Sequence, residues 1–202
     1  GGAGGMPLKV SLADYGVGNL HSIRKALENC GATVNVVEDM SLLTEAECIV
    51  LPGVGAFDKT MERLLPYREE IVQRLNDGVP CLGICIGMQI MFQRSAEGLG
   101  PGLGFLHGSV VRLKAPRIPH MGWNRVRQNP HALWAGIADG ARFYFVHSYC
   151  VHPADASVVT GTTEYGIPFT CAVGRDNILA VQFHPEKSAQ DGLQRATPQW
   201  SG

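Results

Sequence analysis

The sequence predicts an α/β fold, a doubly wound and mostly parallel sheet with an antiparallel extension, and three observations carry that prediction. Short apolar runs alternate with helix-patterned segments through the first half. Through the second half, strand-like runs follow one another with few helices between them. Glycine makes up 25 of 202 residues, about 12% against a usual ~7%. The glycines gather beside apolar runs, at Gly16/Gly18, Gly53/Gly55, Gly83/Gly87 and Gly100/Gly102/Gly104, and so mark tight turns at strand ends.

Each element follows from its pattern. Leu8 to Ala13 reads as the first strand, and the turn Asp14 to Gly18 leads into a helix over Asn19 to Asn29, with Leu20, Ile23, Ala26 and Leu27 at helical spacing. Thr33 to Val37 and Glu47 to Leu51 carry the β-branched and apolar residues of buried parallel strands. Met61, Leu64 and Leu65 form a helical stripe that Pro66 interrupts, and Ile71, Val72 and Leu75 resume it. Val79 to Ile84 is a further buried strand, entering a helix that holds Met88, Ile90 and Met91. Gly108 to Leu113, Gly122 to Val126, Arg142 to Val146, Ser157 to Thr162, Phe169 to Val173 and Ile178 to Phe183 are the later strands.

Length and charge narrow the function. A chain of 202 residues suits one domain with a substantial core, and the expectation is a single domain over residues 6–202. Gly1 to Gly5 has neither the basic start nor the apolar run of a secretion signal; it reads as a cloning scar ahead of Met6. A net charge of −1 argues against a nucleic-acid partner and against a polybasic membrane anchor. No run reaches the roughly 18 apolar residues of a membrane span. Six dispersed cysteines, four of them in apolar strand-like surroundings, fit reduced thiols in the cytoplasm. With no CxxC, HExxH, GxGxxG or P-loop, no metal or cofactor is expected.

The stretch Pro80 to Gln89 has the form strand, Gly-x-Cys-x-Gly, helix, the cysteine version of a nucleophile elbow. So sharp a turn admits only small flanking residues, here Gly83 and Gly87. Cys85 would project from the carboxyl edge of the sheet at a helix N-terminus, where dipole and unpaired amides favour the reactive thiolate. A buried cysteine in a glycine-rich turn is the other reading, and Cys81, inside the strand with nothing to activate it, is assigned to the core. His184 emerges from another apolar strand in Val181 to Ser188. Pro185 keeps it extended, so Glu186, two residues on, lies on the same side and can orient the imidazole. Cys85, His184 and Glu186 would then form a triad, unless His-Pro-Glu is only a polar strand exit. The Gly-x-Gly turn at Gly53 and Gly55 ends a third buried strand. Amides of Gly53 and Val54 could host an oxyanion together with the N–H of Ile86, and glycine there permits a peptide flip.

With these segments in view, the sequence resembles the triad-type glutamine amidotransferases, and among them the glutaminase subunits of imidazole glycerol phosphate synthase. The elbow Gly-x-Cys-x-Gly-x-Gln and the His184-Pro185-Glu186 exit carry the wider resemblance; Pro52 to Gly55, Pro119 to Asn124, Phe143 to Tyr149 and Gly161 to Tyr165 carry the narrower one. It runs from about Leu8 to about Ser188. It implies a flavodoxin-like three-layer αβα sandwich and an enzyme of histidine biosynthesis. Cys85 would attack the side-chain amide of L-glutamine, His184 would shuttle the proton, and Gln89, Ser148 and Tyr149 would hold the substrate. Ammonia would pass to a TIM-barrel synthase (cyclase) subunit as heterodimer partner. His120, Met121, Trp123 and Asn124, with the Asp14 to Asn19 turn, would face that partner, and the pair would be allosterically coupled. A glutaminase for another amide-nitrogen pathway, a non-catalytic partner-binding module of the same fold and a generic cysteine hydrolase are the competing readings. The family closes on an amphipathic helix; here Asp191 begins one that Pro198 cuts short.

Overall fold

The structure, a computed structural model, describes residues 7–16 and 20–187. Gly1 to Met6, the Val17–Asn19 part of the first turn, Ser188 and the helix expected from Asp191 lie outside the described residues. The first half alternates as expected. β1 (Lys9–Ala13), α1 (His21–Asn29) and β2 (Thr33–Val37) are followed by a 3-10 segment and β3 (Ile49–Leu51). Then come α2 (Phe57–Leu64), α3 (Arg68–Asn76), β4 (Cys81–Ile84), the single turn α4 (Ile86–Gln89) and the short β5 (Arg94–Ser95). Pro66 sits in a 3-10 turn over Leu65–Tyr67 between α2 and α3, where its missing N–H breaks no helical bond.

The second half is strand after strand: β6 (Gly108–Arg112), β7 (His120–Arg125), β8 (Arg127–Gln128), β9 (Arg142–His147), β10 (Tyr149–Pro153), β11 (Val159–Tyr165), β12 (Ile167–Arg175) and β13 (Ile178–Val181). The main sheet runs β2-β1-β3-β4-β13-β12-β10-β6-β5, with β11 and β8 continuing from β12, while β7 pairs with β9 in a second, two-stranded sheet. From β2 to β13 every neighbour is parallel; β12, β10 and β6 then join antiparallel. β3, β4 and β13 are buried along their whole length, as central parallel strands covered on both faces must be. Phe57, Met61, Leu64, Ile71 and Leu75 of α2 and α3 pack on one face. Ile23 and Leu27 of α1 pack on the other, together with Trp134, Phe143, Phe145 and Phe183. There, β9 and its neighbours do the covering that a helix does elsewhere.

Two features differ from the sequence expectation. The helix after the elbow is one turn, not a run through Ile90 and Met91. The carbonyls that would continue it are taken by a distant loop: Leu103 donates to Ile90 at 2.7 Å, Leu106 to Met91 at 2.9 Å and Gly104 to Phe92 at 3.2 Å. β10 was not expected, because the chain changes sheets at Ser148, leaving β7 as partner and joining β6 and β12. Side-chain alternation carries no record of such a switch.

The topology sets the site. β3, β4 and β13 are consecutive parallel strands, with Leu51 opposite Gly83 and Ile84 opposite Val181. Their carboxyl ends release the Gly53 turn, Cys85 and the His184 segment side by side, the position where open α/β sheets place ligands.

Candidate active site

Cys85 occupies a strained turn with φ 56, uncommon for a residue with a Cβ. The flanking glycines are required by contact. A Cβ on Gly83 would stand 2.5 Å from the Gly87 carbonyl oxygen, and one on Gly87 would stand 1.8 Å from that of Leu51. The Cys85 amide donates to the Val181 carbonyl at 2.8 Å, binding the elbow to β13. Its Sγ lies 3.8 Å from the Val146 carbonyl and accepts from Gln182 Nε2 at 3.5 Å.

His184 is tied to β9 by its own amide, which donates to the Tyr144 carbonyl at 2.9 Å. Its Nδ1 donates to Glu186 Oε1 at 2.8 Å, and both side chains are at least nine-tenths buried. That leaves Nε2 for the thiol of Cys85, which is near enough to favour the imidazolium. Burial is the largest single influence on this histidine and disfavours its cation. The polar contacts of Cys85 and Glu186, and the negative charge on both, together outweigh it and raise the imidazole to about 9. The arrangement can take a proton from sulfur and hold it as an imidazolium braced by a carboxylate. Cys81 differs sharply: burial, with Cys48 nearby, pushes its thiol well above the ordinary range.

The turn after β3 is not yet an oxyanion hole. The N–H of Ile86, expected to face a developing negative charge, is donated to the Gly53 carbonyl at 3.3 Å. Gly53 holds φ +104 with nothing within 4 Å of where a Cβ would be. Gly53 is therefore required by its conformation, where Gly83 and Gly87 are required by contact.

A cavity of about 260 Å³ opens onto Cys85, lined by Val54, Gly55, Ile86, Gln89, Ser148 and Tyr149 among others. It lies just under the size of typical drug-sized sites, ~300–1,000 Å³. Both amide protons of Gln89 are used internally, to the Tyr149 carbonyl at 3.2 Å and to Gln182 Oε1 at 3.0 Å, so only its carbonyl oxygen can serve a ligand. Glu97, which also lines this cavity, was missed by sequence reading. Its one legible signal is a carboxylate in the Gly-rich loop after β5. That carboxylate accepts from the Phe57 amide at 2.5 Å, while Asp58 returns the clasp to the Leu99 amide at 2.9 Å. A larger hollow of about 600 Å³ beside β7 and β11 contains none of Cys85, His184 and Glu186. Among the described residues no group of three or more His, Cys, Asp or Glu is placed to hold a metal ion.

The four residues expected at a partner surface are divided by strand alternation. Met121 is 63% exposed and Trp123 55%, and the indole packs against Tyr144, over whose ring Lys187 Nζ lies at 5.1 Å. His120 points inward and is only 3% exposed, so it cannot offer a face to another protein. It stacks between Phe145 and Tyr165 and shares a 2.9 Å hydrogen bond with His147. Asn124 supports it from behind at 3.2 Å. Burial lowers both imidazoles to about 4 and keeps the pair neutral.

Residues 11–197 match the family described as Glutamine amidotransferase class-I. This chain belongs to the class-I glutamine amidotransferases. Imidazole glycerol phosphate synthase subunit HisH of Dechloromonas aromatica is 53% identical over 199 residues, covering 92% of each chain. The protein of that name from Thermococcus kodakarensis is 48% identical, covering 91% of this chain and 95% of its own. Within the amidotransferases, the chain falls among these HisH subunits. Among solved structures, a crystal structure titled glutamine amidotransferase superposes with a TM-score of 0.74 at 19% identity, over 96% of this chain and 98% of that one. The glutaminase domain of Trypanosoma brucei CTPS gives 0.70 at 17% identity, over 96% and 92%. At such identities the likeness concerns the fold, and it agrees with the flavodoxin-like expectation.

Proposed function

We propose that Cys85, His184 and Glu186 are the triad with which this glutaminase subunit of imidazole glycerol phosphate synthase hydrolyses glutamine. One observation supports the assignment: His184 is hydrogen-bonded to Glu186 at 2.8 Å, with the Cys85 thiol near enough to favour the imidazolium. The S–H proton passes to His184 Nε2, and the sulfur attacks the side-chain amide carbon of glutamine. The imidazolium protonates the departing nitrogen, which leaves as ammonia. Water, deprotonated by His184, then opens the γ-glutamyl thioester to glutamate and returns the thiol.

The cavity suits the rest of the substrate. The Gln89 carbonyl oxygen and the Glu97 carboxylate are acceptors for the α-ammonium group, with Ser148 and Tyr149 on the adjoining wall. Rotation of the Gly53–Val54 peptide would withdraw the Gly53 carbonyl from Ile86 and turn the Val54 N–H inward, completing an oxyanion hole from Val54 and Ile86. The closed turn thus makes hydrolysis slow until the synthase partner binds. Met121 and Trp123 supply the surface for that partner, a TIM barrel in this reading, and ammonia passes across it into histidine biosynthesis. Five buried thiols, Cys48, Cys81, Cys85, Cys150 and Cys171, support a reducing, cytoplasmic setting.

The test is labelling with a glutamine-like electrophile, followed by peptide mass mapping. Modification is expected on Cys85 and not on Cys81, with loss of glutamate production in step. Labelling spread over several cysteines, or glutamate production that survives Cys85→Ala, would overturn the assignment.

A further inference from the structure

Gln182 is fully buried, two residues before His184, and the triad leaves it without a role. Its orientation is nonetheless determined. The Tyr149 carbonyl can only accept, so the group of Gln89 that faces it at 3.2 Å is Nε2. The same Nε2 lies 3.0 Å from Gln182 Oε1, as donor to acceptor. The Gln182 amide is therefore turned with its Nε2 toward Cys85 Sγ, 3.5 Å away. The Tyr149 carbonyl is itself held in place by His147 Nδ1 at 2.8 Å. A main-chain carbonyl orients Gln89, Gln89 orients Gln182, and Gln182 presents an N–H to sulfur.

We infer that Gln182 is a further catalytic residue, donating a hydrogen bond that steadies the Cys85 sulfur as it becomes a thiolate. The inference rests on reading Cys85 as the nucleophile. Gln182 moves no proton: the S–H bond breaks toward His184, and the amide donor stays where it was. Its effect is differential, because a hydrogen bond to an anion is roughly twice as strong as one to a neutral acceptor. It acts when the thiol ionises and again when the thioester releases sulfur. Full burial keeps water from competing for this amide. The other ionisable groups around the sulfur are His184 with Glu186 behind it, His147 and Tyr149 from β9 and β10, and Glu97 from the cavity rim.

The experiment follows alkylation of Cys85 by iodoacetamide across pH, read by mass mapping on the full chain, with glutaminase kinetics measured in the presence of the synthase partner. Gln182→Met removes the donor at similar volume. Gln182→Glu keeps an acceptor for Gln89 and loses the donor as the carboxyl ionises. Since a hydrogen bond to an anion is roughly twice as strong as one to a neutral acceptor, alkylation at neutral pH should slow by about tenfold or more in both variants. Its half-maximal pH should rise by about one unit. For Gln182→Glu, kcat should fall in parallel while KM for glutamine stays within about threefold. Thermal melting identifies the folded variants; if Gln182→Met does not fold, Gln182→Glu decides. A folded variant whose alkylation profile superimposes on the parent overturns the inference. Slowed alkylation in a chain whose parent makes no glutamate would uphold the amide–sulfur contact and overturn the glutaminase reading instead, so the two failures are distinguishable.

Discussion

Two glycine turns stand at neighbouring strand ends and hold glycine for opposite reasons. After β4, Gly83 and Gly87 are demanded by crowding: a Cβ on either would enter main-chain atoms, at 2.5 Å and 1.8 Å. After β3, Gly53 has nothing within 4 Å and is instead demanded by its conformation, φ +104. The elbow is thereby locked against β3 and β13, which in the proposed mechanism keeps the nucleophile beside its base. The Gly53 carbonyl accepts one hydrogen bond of 3.3 Å from Ile86, the bond that the proposed oxyanion hole must break. In the proposed mechanism the site joins a braced half, which holds the nucleophile, to a movable half, which governs when it is used.

The contrast can be broken most severely at Gly87. Gly87→Ala drives a methyl into the Leu51 carbonyl, so a loss of about 3 kcal/mol or more is expected, with the elbow displaced and activity gone. Denaturant unfolding measures it; a variant as stable as the parent would show that the elbow is not locked.

Next in size is Glu186→Gln, which keeps the rigid frame and removes the carboxylate behind His184. Glutaminase kcat should fall about a hundredfold. The stability consequence has a definite sign. His184 is raised from 6.5 to about 9, so its contribution is fully present below about 6.5 and is lost as pH rises toward 9. Unfolding free energy followed from pH 6 to 10 should fall less steeply for Glu186→Gln than for the parent, the gap closing by about 1 kcal/mol. Parallel curves would mean that Glu186 does not support the cation.

Gly53→Ala is the mildest to the fold and the most telling for the movable half. Strain from the positive φ should cost about 1–3 kcal/mol. Partner-stimulated turnover should drop by about tenfold or more with glutamine affinity nearly intact. Stimulated turnover equal to the parent's would remove the Gly53 peptide from the gate.

Much of this was legible in the chain. The alternation of β1 to β4 with helices followed from periodicity, and the expected boundary of β2 coincides with Thr33–Val37. Gly83-x-Cys85-x-Gly87 announced an elbow because no larger residue can flank so tight a turn. Other features could not be read locally. α4 stops after one turn because a loop twelve to fifteen residues further on takes the carbonyls that would continue it. His120 shares the Pro-His-Met-Gly-Trp-Asn segment with the exposed Met121 and Trp123, yet it is buried against Phe145 and Tyr165. Glu97 and Gln182 carry no motif of their own; they matter because the fold brings them to Cys85.

Local chemistry in the chain settled which side chains could react and where each strand must end, since turn sterics and alternation act over a few residues. Only the folded sheet decided which ends meet, which amide proton points at sulfur and which N–H is still covered. Those depend on parallel pairing between strands nearly a hundred residues apart, such as Ile84 with Val181, and on hydrogen bonds whose direction a third residue sets.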